Sequence, residues 1–200
     1  MKVVLASRSP RRRELLKWIF DEFETIPSGE PENAADGLSP EELVLFLAQT
    51  KAQSVAARCE HGALVIGCDT VVVSPGNTVF GIPKDAREAA EMLRALSGNT
   101  HRVLTGVCLV KGDARRAFYE ETRVKFYPLS DREIQEYLDT GEPFDKAGAY
   151  GIQGKGGLLA QSVQGDFYNV VGLPVGRLKR EILQFFDDAK KFEKNVVKSL

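Results

Sequence analysis

Apolar residues along this chain alternate between strand-like runs and helix-spaced stripes. The first run, Val3-Val4-Leu5-Ala6, breaks at small residues and gives way to Ser9-Pro10, a cap and a first-turn proline that open a helix. Leu15, Leu16, Ile19 and Phe20 share one face of that helix. A short strand is predicted over 23–26, and the Pro-, Gly-, Asn- and acid-rich stretch 28–39 reads as a loop. Ser39-Pro40-Glu41-Glu42 opens a second helix, with a serine cap, proline at the first position and acids in the first turn. Residues 64–73 give the strongest strand signal, nearly continuous apolar residues of the kind that a strand buried on both faces requires. A turn at 81–85 leads into a helix bearing Ala89, Ala90, Met92, Leu93 and Leu96. Two further β runs, 102–110 and 117–126, flank Lys111-Gly112-Asp113 and predict a hairpin. A short helix capped at Ser130, a strand over 158–163 and a last helix carrying Val175, Leu178, Ile182, Phe185 and Phe186 complete the series. The alternation predicts an α/β protein.

Four places depart from this pattern. Arg11, Arg12 and Arg13 crowd the start of the first helix, the end that already carries partial positive charge. An anion shared between free backbone N–H groups and guanidinium forks would offset that cost, so strand, turn and arginines together form a candidate phosphate cradle. In the second helix Lys51 stands in the stripe Val44, Leu47, Ala48, Val55 where an apolar residue is expected. Either it snorkels at the stripe's edge or it points an ammonium into a cleft. Asp69 interrupts the strongest strand. It is either a structural carboxylate bonded to backbone at a strand bend, or a general base or metal ligand. Finally, six glycines fall within 141–157, interleaved with Asp145, Lys146, Tyr150, Gln153 and Lys155. Glycine permits close backbone approach to a ligand, yet the spacing fits neither a Walker A loop nor a dinucleotide fingerprint, and an irregular loop is the alternative reading.

The 200 residues suit one domain over 1–186, with two lobes, and a charged, helical C-terminal extension over 187–200 whose Phe192, Val196 and Leu200 continue the last helix or dock as one. Such a chain buries about 70% of its unfolded surface and needs no staples. The net charge of −1 argues against a nucleic-acid binder that works by bulk electrostatics. No apolar run reaches a membrane-spanning length and the N-terminus lacks a secretory pattern, so a soluble, cytoplasmic protein with no membrane partner is expected. Cys59, Cys68 and Cys108 form no CxxC pair, which speaks against a zinc site or disulfide framework. His61 and His101 have no partner pattern and no G-x-S-x-G elbow accompanies them, so both are read as structural or surface residues.

Several of these pieces, taken in order, resemble one family. They are Leu5-Ala6-Ser7-Arg8-Ser9-Pro10-Arg11-Arg12, Leu47-Ala48 with Lys51-Ala52, Gly67-Cys68-Asp69-Thr70-Val71-Val72, Leu96-Ser97-Gly98, His101 and Thr105-Gly106-Val107. Gly141-Glu142-Pro143, the stretch from Asp145-Lys146-Ala147 to Ile152-Gln153-Gly154, and Val171-Gly172-Leu173-Pro174 follow. Over some 170 residues the chain resembles the Maf (septum-formation-inhibitor-like) nucleotide pyrophosphatases. The resemblance implies hydrolysis of nucleoside triphosphates between the α- and β-phosphates. It also implies an elongated, mixed twisted sheet flanked by helices, with two lobes around a deep cleft, an architecture related to inosine-triphosphate pyrophosphatases, and a homodimer. By motif, Asp69 is the catalytic base. Ser7, Arg11, Arg12, Glu32, Lys51, Thr70, Lys84 and Gln153 are substrate-binding, and a divalent cation (Mg²⁺ or Mn²⁺) is held by Asp69 and Glu32.

The family divides by substrate, and Arg11, Thr70 and Gln153 match its dTTP/UTP branch rather than the 7-methyl-GTP branch. The expected reaction is therefore hydrolysis of dTTP and UTP, or of modified pyrimidine nucleotides. One departure stands out. Where the family carries a lysine before proline, this chain has Gly81-Ile82-Pro83, with Lys84 two residues on as the nearest cation. That departure sustains a different class of function as the alternative: a nucleotide-sensing or septation-regulating binding protein with weak catalysis.

Overall fold

The computed structural model describes residues 1–29 and 37–197, with side chains up to residue 188. Glu32 lies outside the described residues, as do Leu200 and the side chains of Phe192 and Val196.

The described residues fold as a seven-stranded mixed sheet flanked by helices. In chain order the elements begin with β1 (Val3–Ala6), α1 (Pro10–Leu16), β2 (Glu24–Thr25), α2 (Pro40–Ala56), β3 (Leu64–Val73), β4 (Val79–Phe80) and α3 (Ala86–Leu96). They continue with β5 (Thr100–Lys111), β6 (Ala114–Phe126), α4 (Asp131–Leu138), β7 (Ala160–Gln164), α5 (Phe167–Val171) and α6 (Val175–Val197). The sheet runs β2-β1-β3-β5-β6-β7, with β4 paired to the far end of β3. β2, β1 and β3 are parallel, and β3, β5, β6 and β7 are successively antiparallel.

Strand alternation sorts β3 onto two faces. Leu64, Ile66, Cys68 and Val72 join the main core, built with α1, α3, α4 and α6. Val65 joins the layer under the C-terminal half of α2, while Val71 and Val73 pack beneath its N-terminal half. Thus Asp69 faces α2 and Thr70 faces the opposite layer.

Local chemistry explains the helix boundaries. α2 and α4 each begin with a complete capping box, Ser39 with Glu42 and Ser130 with Glu133. Asp85 caps α3 by accepting from the Glu88 backbone N–H at 2.8 Å. The hairpin between β5 and β6 turns at Gly112, whose φ of +57° suits a residue without a Cβ.

Several elements differ from the sequence pattern. α1 stops at Leu16, and half-buried Ile19 and Phe20 reach the main core from the following turn instead of from the helix. β2 is two residues long, although Ile26 N–H still donates to Leu5 O at 3.0 Å. The glycines at 154–157 hold Leu158 and Leu159 in a 3-10 turn, so β7 begins only at Ala160. β4 and α5 carry too few residues to show a period, and neither is anticipated by the apolar pattern.

Candidate active site

A cleft of about 720 Å³ opens beyond the carboxyl end of β1, a usual ligand position in sheets with a parallel half. One wall comes from residues 6–12, Lys51, residues 69–72 and residues 170–172, where Gly172 meets Arg12. Gly81, Ile82, residues 145–147 and residues 150–153 line the rest.

Lys51 and Asp69 meet inside it. Their side chains make an ion pair at 2.5 Å, with the residues only 8% and 6% exposed. The lysine of α2 is therefore not a snorkelling edge residue. It reaches the carboxylate because α2 lies unusually low on the sheet, over two glycines. A Cβ built on Gly67 would stand 2.3 Å from Ala48 O, and one built on Gly106 would stand 2.1 Å from Val44 O. Gly106 is the register partner of Asp69, so the closest approach of helix to sheet lies beside the carboxylate.

The three arginines do not act alike. α1 has only seven residues, so Arg13 already belongs to its last turn, where the dipole favours a cation, and its side chain is exposed. Arg12 turns inward and clamps the site. Its Nε donates to Gly172 O at 2.8 Å, Nη1 to Cys68 O at 3.0 Å and to Ser7 Oγ at 3.4 Å, and Nη2 to Thr70 Oγ1 at 2.8 Å. Four of its five N–H donors are thus spent on protein, and one remains to reach a ligand. Arg11 crosses the cleft to Asp145 at 3.1 Å. Ser7 is buried and also accepts the Ser9 backbone N–H at 3.2 Å.

Elsewhere on the lining Lys146 donates to Asp145 at 2.5 Å and to Glu142 O at 2.6 Å. Partial burial tends to raise the Asp145 pKa, but the bonds from Lys146 and Arg11 outweigh it and hold the carboxyl below its usual range. Gln153 also lines the cleft and is exposed. Buried His101 supports the wall from behind, its Nε2 2.8 Å from the Tyr150 hydroxyl. His61 is exposed. Burial pushes the Cys68 thiol up to about 11, which removes it as a nucleophile.

The structure therefore gathers Ser7, Arg11, Arg12, Lys51, Asp69, Thr70 and Gln153 around one cleft. It does not bring Lys84 there. Lys84 follows Pro83 at the mouth of α3, its backbone N–H bonded to Glu88 at 2.7 Å, and lines a neighbouring groove. From that loop Gly81 and Ile82 line the cleft, and the side chain offered there is that of Ile82, 49% exposed. Sequence reasoning singled out the segment holding Lys146 and Tyr150 but assigned neither to the site. Gly172 O, which orients Arg12, carries no side-chain signal at all. Among the described residues no helix is long and apolar enough to cross a membrane.

A family model described as "Maf-like protein" matches residues 2–185. A protein of Carboxydothermus hydrogenoformans named dTTP/UTP pyrophosphatase is 51% identical over 92% of this chain and 99% of its own length. Proteins of the same name from Bacillus cytotoxicus and Symbiobacterium thermophilum are 49% and 50% identical, over 92% of this chain and 95% and 94% of theirs. Among solved structures, a HAM1 protein from Coxiella burnetii superposes with a TM-score of 0.51 over 92% of this chain and 99% of that one. At 13% identity the likeness is one of fold.

Proposed function

The chain belongs to the Maf-like protein family, and from that premise we propose that it hydrolyses dTTP and UTP to the monophosphate and pyrophosphate, as the names of its relatives suggest. The observation that carries the reading is the buried Lys51–Asp69 pair on the floor of a cleft lined with further cations. Asp69 orients a water and accepts its proton as the water oxygen attacks the α-phosphorus. The bond from that phosphorus to the α–β bridging oxygen breaks, and its electron pair leaves with pyrophosphate. Lys51 fixes the carboxylate, while Arg11, Lys146 and the one free N–H of Arg12 offset charge on the phosphate chain.

A divalent cation fits this arrangement in a limited way. Among the described residues no group of three or more His, Cys, Asp or Glu gathers to form a cage. Two described carboxylates line the cleft, Asp69 and the Asp145 that Arg11 and Lys146 hold; so sparse a set suits an ion such as Mg²⁺ that keeps most of its bonds to water and phosphate. When bound, such an ion supplies charge neutralisation on the triphosphate. Glu32, the second expected ligand, lies outside the described residues.

Pyrophosphate release from dTTP, UTP, dCTP and dGTP with Mg²⁺ tests the reading. Asp69→Asn keeps the shape of the side chain and is expected to lose about 10²–10⁴-fold in turnover. Unchanged turnover removes Asp69 from the mechanism. Ile82 on the cleft wall favours a second reading, a nucleotide-binding regulator with weak catalysis. Tight dTTP binding by a wild type that releases no pyrophosphate would select it.

A further inference from the structure

Behind the cleft floor two threonine hydroxyls, one fully buried and one half-buried, take their direction from a backbone carbonyl. Thr105 of β5 is the register partner of Thr70 of β3, is fully buried, and does not line the cleft. Its Oγ1 lies 3.1 Å from the carbonyl oxygen of Asn169 and 2.9 Å from Thr70 Oγ1. A carbonyl only accepts, so the 3.1 Å contact is a hydrogen bond only with Thr105 as donor, and the single hydroxyl hydrogen of Thr105 is assigned to Asn169 O. With that assignment the Thr70–Thr105 bond carries the hydrogen of Thr70. Arg12 Nη2 donates to Thr70 Oγ1 from the other side at 2.8 Å. Thr70 has thus spent its hydrogen and one lone pair, and it presents the cleft with an acceptor and nothing else.

The acceptor at the end of this chain is held in place. Buried Asn169 donates its side-chain amide to Val103 O and Thr122 Oγ1, each at 3.0 Å. Thr122 in turn donates to Asp166 O at 2.8 Å. Both groups facing the amide are therefore acceptors, which leaves no alternative orientation for it. α5 cannot rotate its Asn169 carbonyl away from Thr105 without breaking these bonds.

We propose that Thr105 is a positioning residue that fixes the polarity of Thr70, so that this point of the cleft selects a ligand edge bearing an N–H. The inference rests on the pyrimidine triphosphate reading above. A phosphate oxygen cannot be the partner of Thr70, because it too only accepts. The imide N3–H of uracil and thymine fits, whereas cytosine presents a lone pair at that position.

The test compares kcat/KM for UTP and CTP in wild type, Thr105→Val and Thr105→Ser. Valine matches threonine in shape and suits a central strand. Asn169 O keeps the Gly172 N–H as a donor at 3.0 Å, so that carbonyl is not orphaned. Without Thr105 Oγ1 the Thr70 hydrogen is free to turn into the cleft and meet cytosine N3. The UTP-to-CTP ratio is expected to fall by about tenfold in Thr105→Val and to hold in Thr105→Ser. Thr105→Ala, which removes the hydroxyl without placing a methyl against Thr70, is expected to give the same fall and replaces the valine variant if that one melts early. Wild-type preference for UTP with an unchanged ratio in the valine or alanine variant overturns the role of Thr105 alone. A wild type with no preference for UTP over CTP overturns the substrate reading, and the selection by Thr70 with it.

Discussion

Adding one methyl group at Gly106 is expected to disable the protein twice over. Gly106 sits in β5 directly under α2, and a Cβ there would lie 2.1 Å from Val44 O, 2.4 Å from Val44 C and 3.0 Å from Leu45 N. All three are helix backbone atoms, which no rotamer change can move aside. Restoring ordinary contact requires α2 to retreat by about 1 Å. The retreat opens a gap along a face that buries Leu43, Val44, Leu47, Ala48, Ala52 and Val55. A gap of that width forfeits a quarter to a half of each contact, and overpacking against backbone places the cost at about 3 kcal/mol. Urea unfolding of Gly106→Ala is expected to show a midpoint lower by roughly 1 M at unchanged slope. The same retreat stretches the 2.5 Å Lys51–Asp69 pair, and a 1 Å misplacement of a catalytic group costs about 10²-fold in turnover. Gly67→Ala meets Ala48 O at 2.3 Å and is expected to behave alike. Gly81→Ala meets nothing within 4 Å and serves as the stability control. A Gly106→Ala protein with wild-type midpoint and wild-type pyrophosphate release would refute the argument that glycine sets the depth of α2 and hence the ion pair.

Three further outcomes are expected. Burial lowers the His101 pKa from its usual 6.5 to about 4, so the unfolded chain binds the extra proton first as pH falls. Stability from this group is complete above pH 6.5 and declines towards pH 4, by up to about 3 kcal/mol; the difference in denaturant stability between wild type and His101→Gln should shrink across that window, and a constant difference would refute the assignment. Arg12→Lys replaces a fork serving four acceptors with a single ammonium, and is expected to lose about 1–3 kcal/mol in chemical denaturation, whereas an unchanged midpoint would show that the clamp contributes nothing. Ile82→Lys puts a further cation on the cleft lining and is expected to lower KM for UTP; an unchanged or raised KM would show that phosphate does not pass this side chain.

The parts of the molecule legible in the sequence are those where a residue's own neighbours along the chain decide the outcome. Capping boxes at Ser39 and Ser130 and the apolar run of β3 are of this kind. So is the turn at Gly112. α5 had local signals too, with Asp166 accepting the Tyr168 N–H at its start and Gly172 at φ +120° at its end, but five residues are too few to show a period. The contacts of Gly67 and Gly106 were not legible, because a residue without a side chain leaves no mark in a hydrophobic pattern. Arg12 was legible as a cation at a helix start but not as a clamp, because its acceptors lie as far off as Gly172.

Lys51 and Asp69 show why the same limit applies to charge. Each had two open readings, and each alone would be costly to bury. A buried charge is tolerated only with a partner, and these two are 18 residues apart in sequence, on a helix and a strand whose separation depends on two glycines. The pattern of either element could not decide its own anomaly, since the partner stood on the other element. Once α2 rests on Gly67 and Gly106, both anomalies resolve in one contact. The depth of a helix over a sheet, set by the absence of two side chains, is thus what turns two misplaced charges into a site.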